Sequence, residues 1–123
     1  MDHIANLITS LRNAEMASHT SLSVPNTKMN VSILSVLEQN GYIAGFVAPE
    51  EGARTIVVNL IAAARHNFRR VSKSGRRIYT DAKHVPTILQ GFGTVILSTP
   101  EGVMSGKDAK KKGIGGEVLC EVY

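Results

Sequence analysis

The chain predicts an α+β fold built as two small modules. Residues 1–64 form an N-terminal α-β-α-β-β module, and residues 65–123 a C-terminal module that is mostly β with short helices. Three observations carry this. Apolar residues recur at three- and four-residue spacing in two long stretches of the first half only. Short β-branched runs bounded by Gly and Pro recur elsewhere, as strands do. Charge divides unevenly: residues 1–64 carry three Lys/Arg and five Asp/Glu, a balance of −2, while residues 65–123 carry eleven and five, a balance of +6. At 123 residues and 43% hydrophobic content the chain suffices for one ordinary domain or two small modules.

The elements follow in order. Asp2 is placed to cap a first helix in which Ile4, Leu7, Ile8, Leu11 and Ala14 form one apolar stripe, with Arg12 and Asn13 off it. Ser21 to Val24, ended by Pro25, reads as an edge strand or extended link. Asn26 or Thr27 caps a second helix that buries Val31, Ile33, Leu34 and Leu37 and closes at Gly41. Tyr42–Val47 and Thr55–Ile61 read as strands joined through the turn signal Pro49-Glu-Glu-Gly52. Ala62 to Asn67 is the expected link between modules.

In the second half, Phe68-Arg-Arg-Val-Ser-Lys-Ser-Gly-Arg-Arg-Ile-Tyr79 reads as a β-hairpin turning at Ser72 to Gly75. Pro86 to Leu89 is a short helical turn. Thr94 to Leu97 is a buried strand ending at Thr99-Pro-Glu-Gly102, which suits a type I turn. Ser105 and Asp108 resemble a capping box for a short lysine helix that Gly113 closes. Val118, Cys120 and Val122 alternate along a final strand.

Composition excludes several classes. No segment is apolar enough to cross a membrane, and the N-terminus lacks the basic and apolar regions of a signal peptide. One cysteine forms no internal disulfide, in keeping with the cytoplasm. The histidines His3, His19, His66 and His84 are scattered, and none stands at ligand spacing from a carboxylate or Cys. Cys120 reads as a buried structural thiol, and Glu117 and Glu121 have no evident partner acid. Neither a phosphate-binding nor a dinucleotide-binding glycine pattern is present. An enzyme, a metal and a cofactor are therefore not expected.

What remains is a basic, glycine-containing half suited to a polyanion. Arg69, Arg70, Lys73, Arg76 and Arg77 have no acid among residues 65–79, so they are expected to face solvent or phosphates. Tyr79 is a ring for stacking on a base or ribose, or a hydrogen-bonded core residue at a strand end. Ser98 and Thr99 read either as hydroxyls for a base edge or 2′-hydroxyl, or as local turn stabilisers. Gly115 and Gly116 admit a ribose–phosphate strand, or simply a tight turn. Lys107, Lys110, Lys111 and Lys112 line a helix that is either phosphate-facing or merely solvated.

The combination of Ser98-Thr99-x-x-Gly102-Val103-Met104, the lysine-bearing helix and Gly113-Ile-Gly-Gly-Glu117 resembles the bacterial small-subunit ribosomal protein eight family. The resemblance extends to the Asp-x-Ile-Ala start, to Arg12-Asn13 and to the 68–79 motif. The chain departs from the family at His3 and Ser74, where Pro is usual, at Pro100, where a third hydroxyl is usual, and in a shorter, alanine-rich link. The resemblance implies a cytoplasmic, ribosomal RNA-binding protein that is not an enzyme. Its implied partners are the central domain of 16S ribosomal RNA, which it helps assemble, neighbouring small-subunit proteins, and its own messenger RNA, whose translation some members repress. By position it implies RNA contacts at Ser98, Thr99, Gly102, Gly115, Gly116 and Glu117. Arg76, Tyr79 and Lys110 are further candidates resting partly on charge. The competing reading is a free-standing structured-RNA-binding regulator; a small hydrolase is a third class.

Overall fold

A computed structural model describes residues 3–47 and 51–123. The Asp2 cap and the Pro49-Glu50 part of the first turn signal lie outside the described residues. The described residues form two compact units, His3–His66 and Asn67–Tyr123.

In the first unit, α1 (His3–Met16) buries Ile4, Leu7, Ile8, Leu11 and Ala14, the apolar stripe of the sequence. Arg12 and Asn13 are exposed. The next helix, α2 (Lys28–Gln39), starts where Thr27 Oγ1 accepts the Asn30 N–H at 3.1 Å. It buries Ile33, Leu34 and Leu37 as its spacing dictates, with Val36 added to that face and Val31, expected on it, only half-buried. β1 (Ser21–Pro25), β2 (Gly45–Val47) and β3 (Thr55–Asn59) form an antiparallel sheet in the order β1-β3-β2. Pro25 is tolerated because β1 is an edge strand. Val24 opposite Ile56 puts two buried side chains on one face.

Two strand expectations are corrected here. Strand pairing begins at Gly45, not Tyr42, because the end of α2 captures the preceding segment. Tyr42 N donates to Leu37 O at 2.9 Å and Gly41 N to Glu38 O at 3.1 Å, the paired bonds of a Schellman closure. Tyr42 and Ile43 are buried by that closure without joining a strand. β3 ends at Asn59, beyond which Ile61 is exposed.

The second unit holds a sheet of β4 (Phe68–Arg70), β5 (Tyr79–Thr80), β6 (Thr94–Thr99), β7 (Gly102–Ser105) and β8 (Gly116–Val122), with α3 (Gly106–Lys112) between the last two. The order is β4-β8-β6-β7, with β5 also on β8. Val95, Leu97, Met104, Ala109 and Val118 form its core cluster. Ser105 Oγ accepts the Asp108 N–H at 3.2 Å and Gly113 closes α3 in the left-handed conformation, as the capping residues predict. The Thr99–Gly102 turn joins β6 to β7, a strand over Gly102–Ser105 that was not among the expected elements, and the two form a hairpin over Pro100-Glu101.

The 68–79 motif is not a simple hairpin. Its two strands do not pair with each other; both lie antiparallel to β8, β4 opposite residues 120–122 and β5 opposite 116–117. Val71 and Ser72 continue the ladder through Leu119 O and Val118 O, and Val118 N donates to Ile78 O. Between them the chain leaves the sheet as a loop. Lys73 and Arg76 exchange backbone hydrogen bonds of 2.9 Å around Ser74-Gly75. The local turn was legible, but the better partner for both flanks is β8, which completes a longer ladder. Two smaller corrections follow. The helical turn expected at 86–89 is a 3₁₀ turn at Leu89–Gly91. Strict alternation in β8 is broken by a register shift opposite Ile96/Leu97, so that Val118, Leu119 and Cys120 are all buried.

Candidate nucleic-acid interface

β8 is the strand that assembles the candidate residues. Glu117 on β8 is opposite Ser98 on β6 and opposite Tyr79 on β5, and Ser98 is in turn opposite Val103 on β7. Directly opposed residues point to one face of a sheet, and their neighbours to the other. Leu97, Val118 and Met104, one step along, belong to the core. The row Tyr79, Glu117, Ser98 therefore faces away from that core.

Each member has a distinct condition. Tyr79 is 69% exposed, so it is not the core residue of the alternative reading. The Glu117 carboxylate is held 3.2 Å from Arg77 Nη1 and its side chain is 13% exposed. Ser98 is half-buried, and its hydroxyl has no partner among the described residues. Thr99 differs: its Oγ1 donates to Gly102 O at 2.6 Å and accepts the Glu101 N–H at 3.2 Å. The Thr99 hydroxyl builds the turn, with Gly102 at a positive φ of 115° that favours glycine.

Gly115 and Gly116 are glycine because of the protein's own backbone. A Cβ on Gly116 would lie 2.1 Å from Ser98 O, and one on Gly115 2.1 Å from Thr80 O. Their missing side chains let β5, β8 and β6 close together beside the row. Arg76 is exposed at the tip of the Lys73–Arg77 loop, and Lys110 is exposed on α3. Neither belongs to the row itself.

Four of the five hairpin cations are exposed and Arg70 is half-buried, as a solvent-facing set should be, but three of the five also have partners within the protein. Arg77 meets Glu117, Arg69 Nη1 lies 3.0 Å from Glu121, and Arg70 Nη1 donates to Leu119 O. The acids come from β8, 40 positions from Arg77 and 52 from Arg69, and opposite-charge pairing across a sheet is their natural arrangement. Lys73, Arg76, Lys107, Lys110 and Lys111 have no ion pair among the described residues. Lys112 Nζ reaches Glu101 at 3.7 Å.

Two histidines also differ from expectation: folding brings His66 to Glu15, 51 positions away, while His84 meets Asp81 only three positions away, a local pair the sequence reading overlooked. His66 Nδ1 lies 2.6 Å from buried Glu15 Oε2, and the His66 backbone N–H donates to Glu15 Oε1. Arg65 binds the Glu15 carbonyl and the Tyr42 ring stands edge-on to His66 at 5.1 Å. His84 Nδ1 lies 2.7 Å from Asp81 Oδ1, which holds the exposed Asp81 carboxyl below its usual range. Among the described residues no group of three His, Cys, Asp or Glu is placed to hold a metal ion. Burial pushes the Cys120 thiol up to about 12, which removes it as a thiolate nucleophile near neutral pH. Sequence reasoning missed Arg77 as the partner of Glu117, and Ser72, which ties the loop base. The Arg77–Glu117 pair spans 40 positions, and Ser72 meets Ile78 across the loop that leaves the sheet between them.

An α+β protein with a glycine-flanked sheet row turned away from its core, and cations without ion pairs on a loop and helix of the same unit, has the make-up of a polyanion-binding protein rather than of an enzyme. The family model described as Ribosomal protein S8 matches residues 2–123, and the chain belongs to that family. It is 43% identical to the small ribosomal subunit protein uS8 of Prochlorococcus marinus strain MIT 9301, over 99% of this chain and 97% of that one. The same named protein of Synechococcus sp. strain CC9311 is 44% identical with the same coverage. Membership implies a structural role in the small ribosomal subunit, not an enzymatic one.

Proposed function

We propose that this chain binds the central domain of 16S ribosomal RNA directly and helps assemble that region of the small subunit. The observation that carries the reading is the row of Tyr79, Glu117 and Ser98 across three strands, facing away from the core beside the Thr99–Gly102 turn. Ser98 offers a hydroxyl to a base edge or 2′-hydroxyl, and Tyr79 a ring to stack. Glu117, fixed by Arg77, supplies an acceptor for an amino or hydroxyl donor. Thr99, Gly102, Gly115 and Gly116 shape the backbone against which RNA rests. Arg76 and Lys110 add attraction to phosphates without reading sequence.

In this reading residues 65–123 are the RNA-binding module and residues 1–64 a separate module. Family membership supports the ribosomal role over a free-standing regulator, and sedimentation with the small subunit separates the two. Footprinting purified protein on 16S RNA is the direct test. Protection confined to one irregular stem of the central domain is expected, and protection spread evenly over duplexes would refute the reading. The same footprint on the protein's own messenger tests whether it also represses its own translation.

A further inference from the structure

The row of Tyr79, Glu117 and Ser98 uses one side of the second sheet, and a separate set of cations gathers on the other. α3 packs Ala109 into the cluster of Val95, Leu97, Met104 and Val118, and Val85 and Ile88 pack against the same cluster. Both α3 and the 81–88 segment therefore lie on the side of the sheet that the row faces away from. They also touch: a Cβ on Gly106, at the start of α3, would lie 2.8 Å from Val85 Cγ1. Counting about 100° per residue round α3 from buried Ala109, Lys107 and Lys111 fall on the outermost side. Lys110 stands on one flank of that pair and Asp108 on the other. Lys83, two residues before Val85, adds an exposed cation from the neighbouring segment.

The make-up of this surface decides what kind of partner fits. Lys83, Lys107, Lys110 and Lys111 are exposed and have no ion pair among the described residues. Of the acids in residues 81–113, Asp81 is engaged by His84 and Glu101 by Lys112, which leaves Asp108 alone to offset four cations. Lys107 and Lys111 stand one helical turn apart, a like-charge arrangement that costs the helix stability and that an anion lying across both would relieve. None of the exposed large hydrophobic residues described falls in 81–88 or 102–113. Contact centres between proteins are depleted in Lys and rich in aromatics, whereas phosphate contacts are made by projecting lysines. An RNA backbone fits this surface better than a protein does.

We propose that Lys83, Lys107 and Lys111, flanked by Lys110, form a second phosphate-binding surface that holds the backbone of an RNA segment other than the one read by the row. The protein then ties two RNA segments together across its C-terminal sheet. The proposal rests on the RNA-binding reading above. Its test takes the purified one-to-one complex of the full chain with the stem that footprinting protects, and titrates it with a fluorescein-labelled RNA duplex of unrelated sequence. The wild-type complex should take up the duplex without releasing its stem. The Lys83→Gln, Lys107→Gln, Lys111→Gln variant, checked for fold by circular dichroism, should bind the duplex about tenfold more weakly, with a salt slope shallower by about two to three phosphates' worth. Its affinity for the stem should change far less. Arg at the same three positions should keep duplex binding, and its loss there would tie the effect to helix packing and overturn the proposal. Release of the stem by the duplex also overturns it, as does equal duplex binding by wild type and the Gln variant. Equal duplex binding together with loss of the Gln variant from reconstituted particles would assign the surface to an acidic protein segment instead. Failure of the wild type to bind any stem refutes the RNA-binding function, whereas stem binding without duplex uptake refutes the second surface alone.

Discussion

Ser72 Oγ accepts the Ile78 N–H at 2.8 Å and donates to the Ile78 carbonyl at 3.1 Å. One fully buried hydroxyl thus gives the Ile78 N–H its acceptor, while the Ile78 carbonyl also accepts the Val118 N–H of β8. The five residues Lys73–Arg77 leave the sheet between these two positions and return in register, so that Tyr79 meets Glu117. Ser72 is the closure at the base of the loop.

Replacing Ser72 with Ala should therefore cost about 1–3 kcal/mol, because the half-buried Ile78 N–H loses its acceptor. Urea unfolding should show the loss. Amide exchange should speed up at Ile78 and Tyr79 more than in α1 or α2. A uniform increase across both units would show that Ser72 supports the fold generally and does not close the loop.

Legibility followed sequence distance. The two long helices were readable because their apolar residues repeat within a few positions, and Thr27, Ser105 and Gly113 act within one turn of their helices. The β4 and β5 partners were not, since Arg69 and Glu121 lie 52 positions apart and no local pattern links them. The buried Glu15–His66 pair was hidden for the same reason, at 51 positions. Ser98, Glu117 and Tyr79 were each singled out, but only the register on β8 unites them. Thr99 was indistinguishable from Ser98 in sequence, and two hydrogen bonds inside the Thr99–Gly102 turn separate their states.

Cys120 gives a pH test. Burial raises its thiol from 9.0 to about 12, opposed weakly by Arg70. Between those values the unfolded chain loses the thiol proton while the folded chain keeps it, so stability falls as pH rises through that window and is unaffected by this group below it. The urea midpoint of wild-type protein should drop more steeply from pH 9 to 11 than that of Cys120→Ala. Equal slopes in the two proteins would remove the thiol from the account. At pH 8 a thiol reagent should label native protein far more slowly than unfolded protein.

Salt should weaken RNA binding steeply, with log K falling by about 0.7–0.9 for each phosphate contacted per unit of log salt concentration. Arg76 and Lys110 are exposed and without ion pairs among the described residues, so both are available to phosphates. The Arg76→Gln, Lys110→Gln double variant should shallow the slope by about one to two phosphates' worth. Arg69→Gln should change it less, because that guanidinium is committed to Glu121. An unaltered slope in the double variant would assign Arg76 and Lys110 to bulk solvent.

The sharpest test divides Ser98 from Thr99, which the sequence presents as one motif. Thr99 Oγ1 makes two hydrogen bonds inside the Thr99–Gly102 turn, whereas the Ser98 hydroxyl has no partner among the described residues and sits in the row with Glu117. Thr99→Ala should lower stability by about 0.5–1.5 kcal/mol, the net worth of a turn hydrogen bond in partly exposed surroundings. Its effect on RNA should follow from a loosened turn. Ser98→Ala removes no internal bond, so its unfolding curve should overlay the wild type. It should nonetheless cost about 1–3 kcal/mol on the cognate stem, where an RNA group is left desolvated and unmatched. Binding of an unrelated duplex, which draws mainly on phosphates, should barely change. The measurement is a pair of titrations per variant at one salt concentration, with unfolding curves alongside. Loss of both RNAs alike in Ser98→Ala, or of neither, would return Ser98 to the protein's own structure and leave Tyr79 and Glu117 to read the RNA.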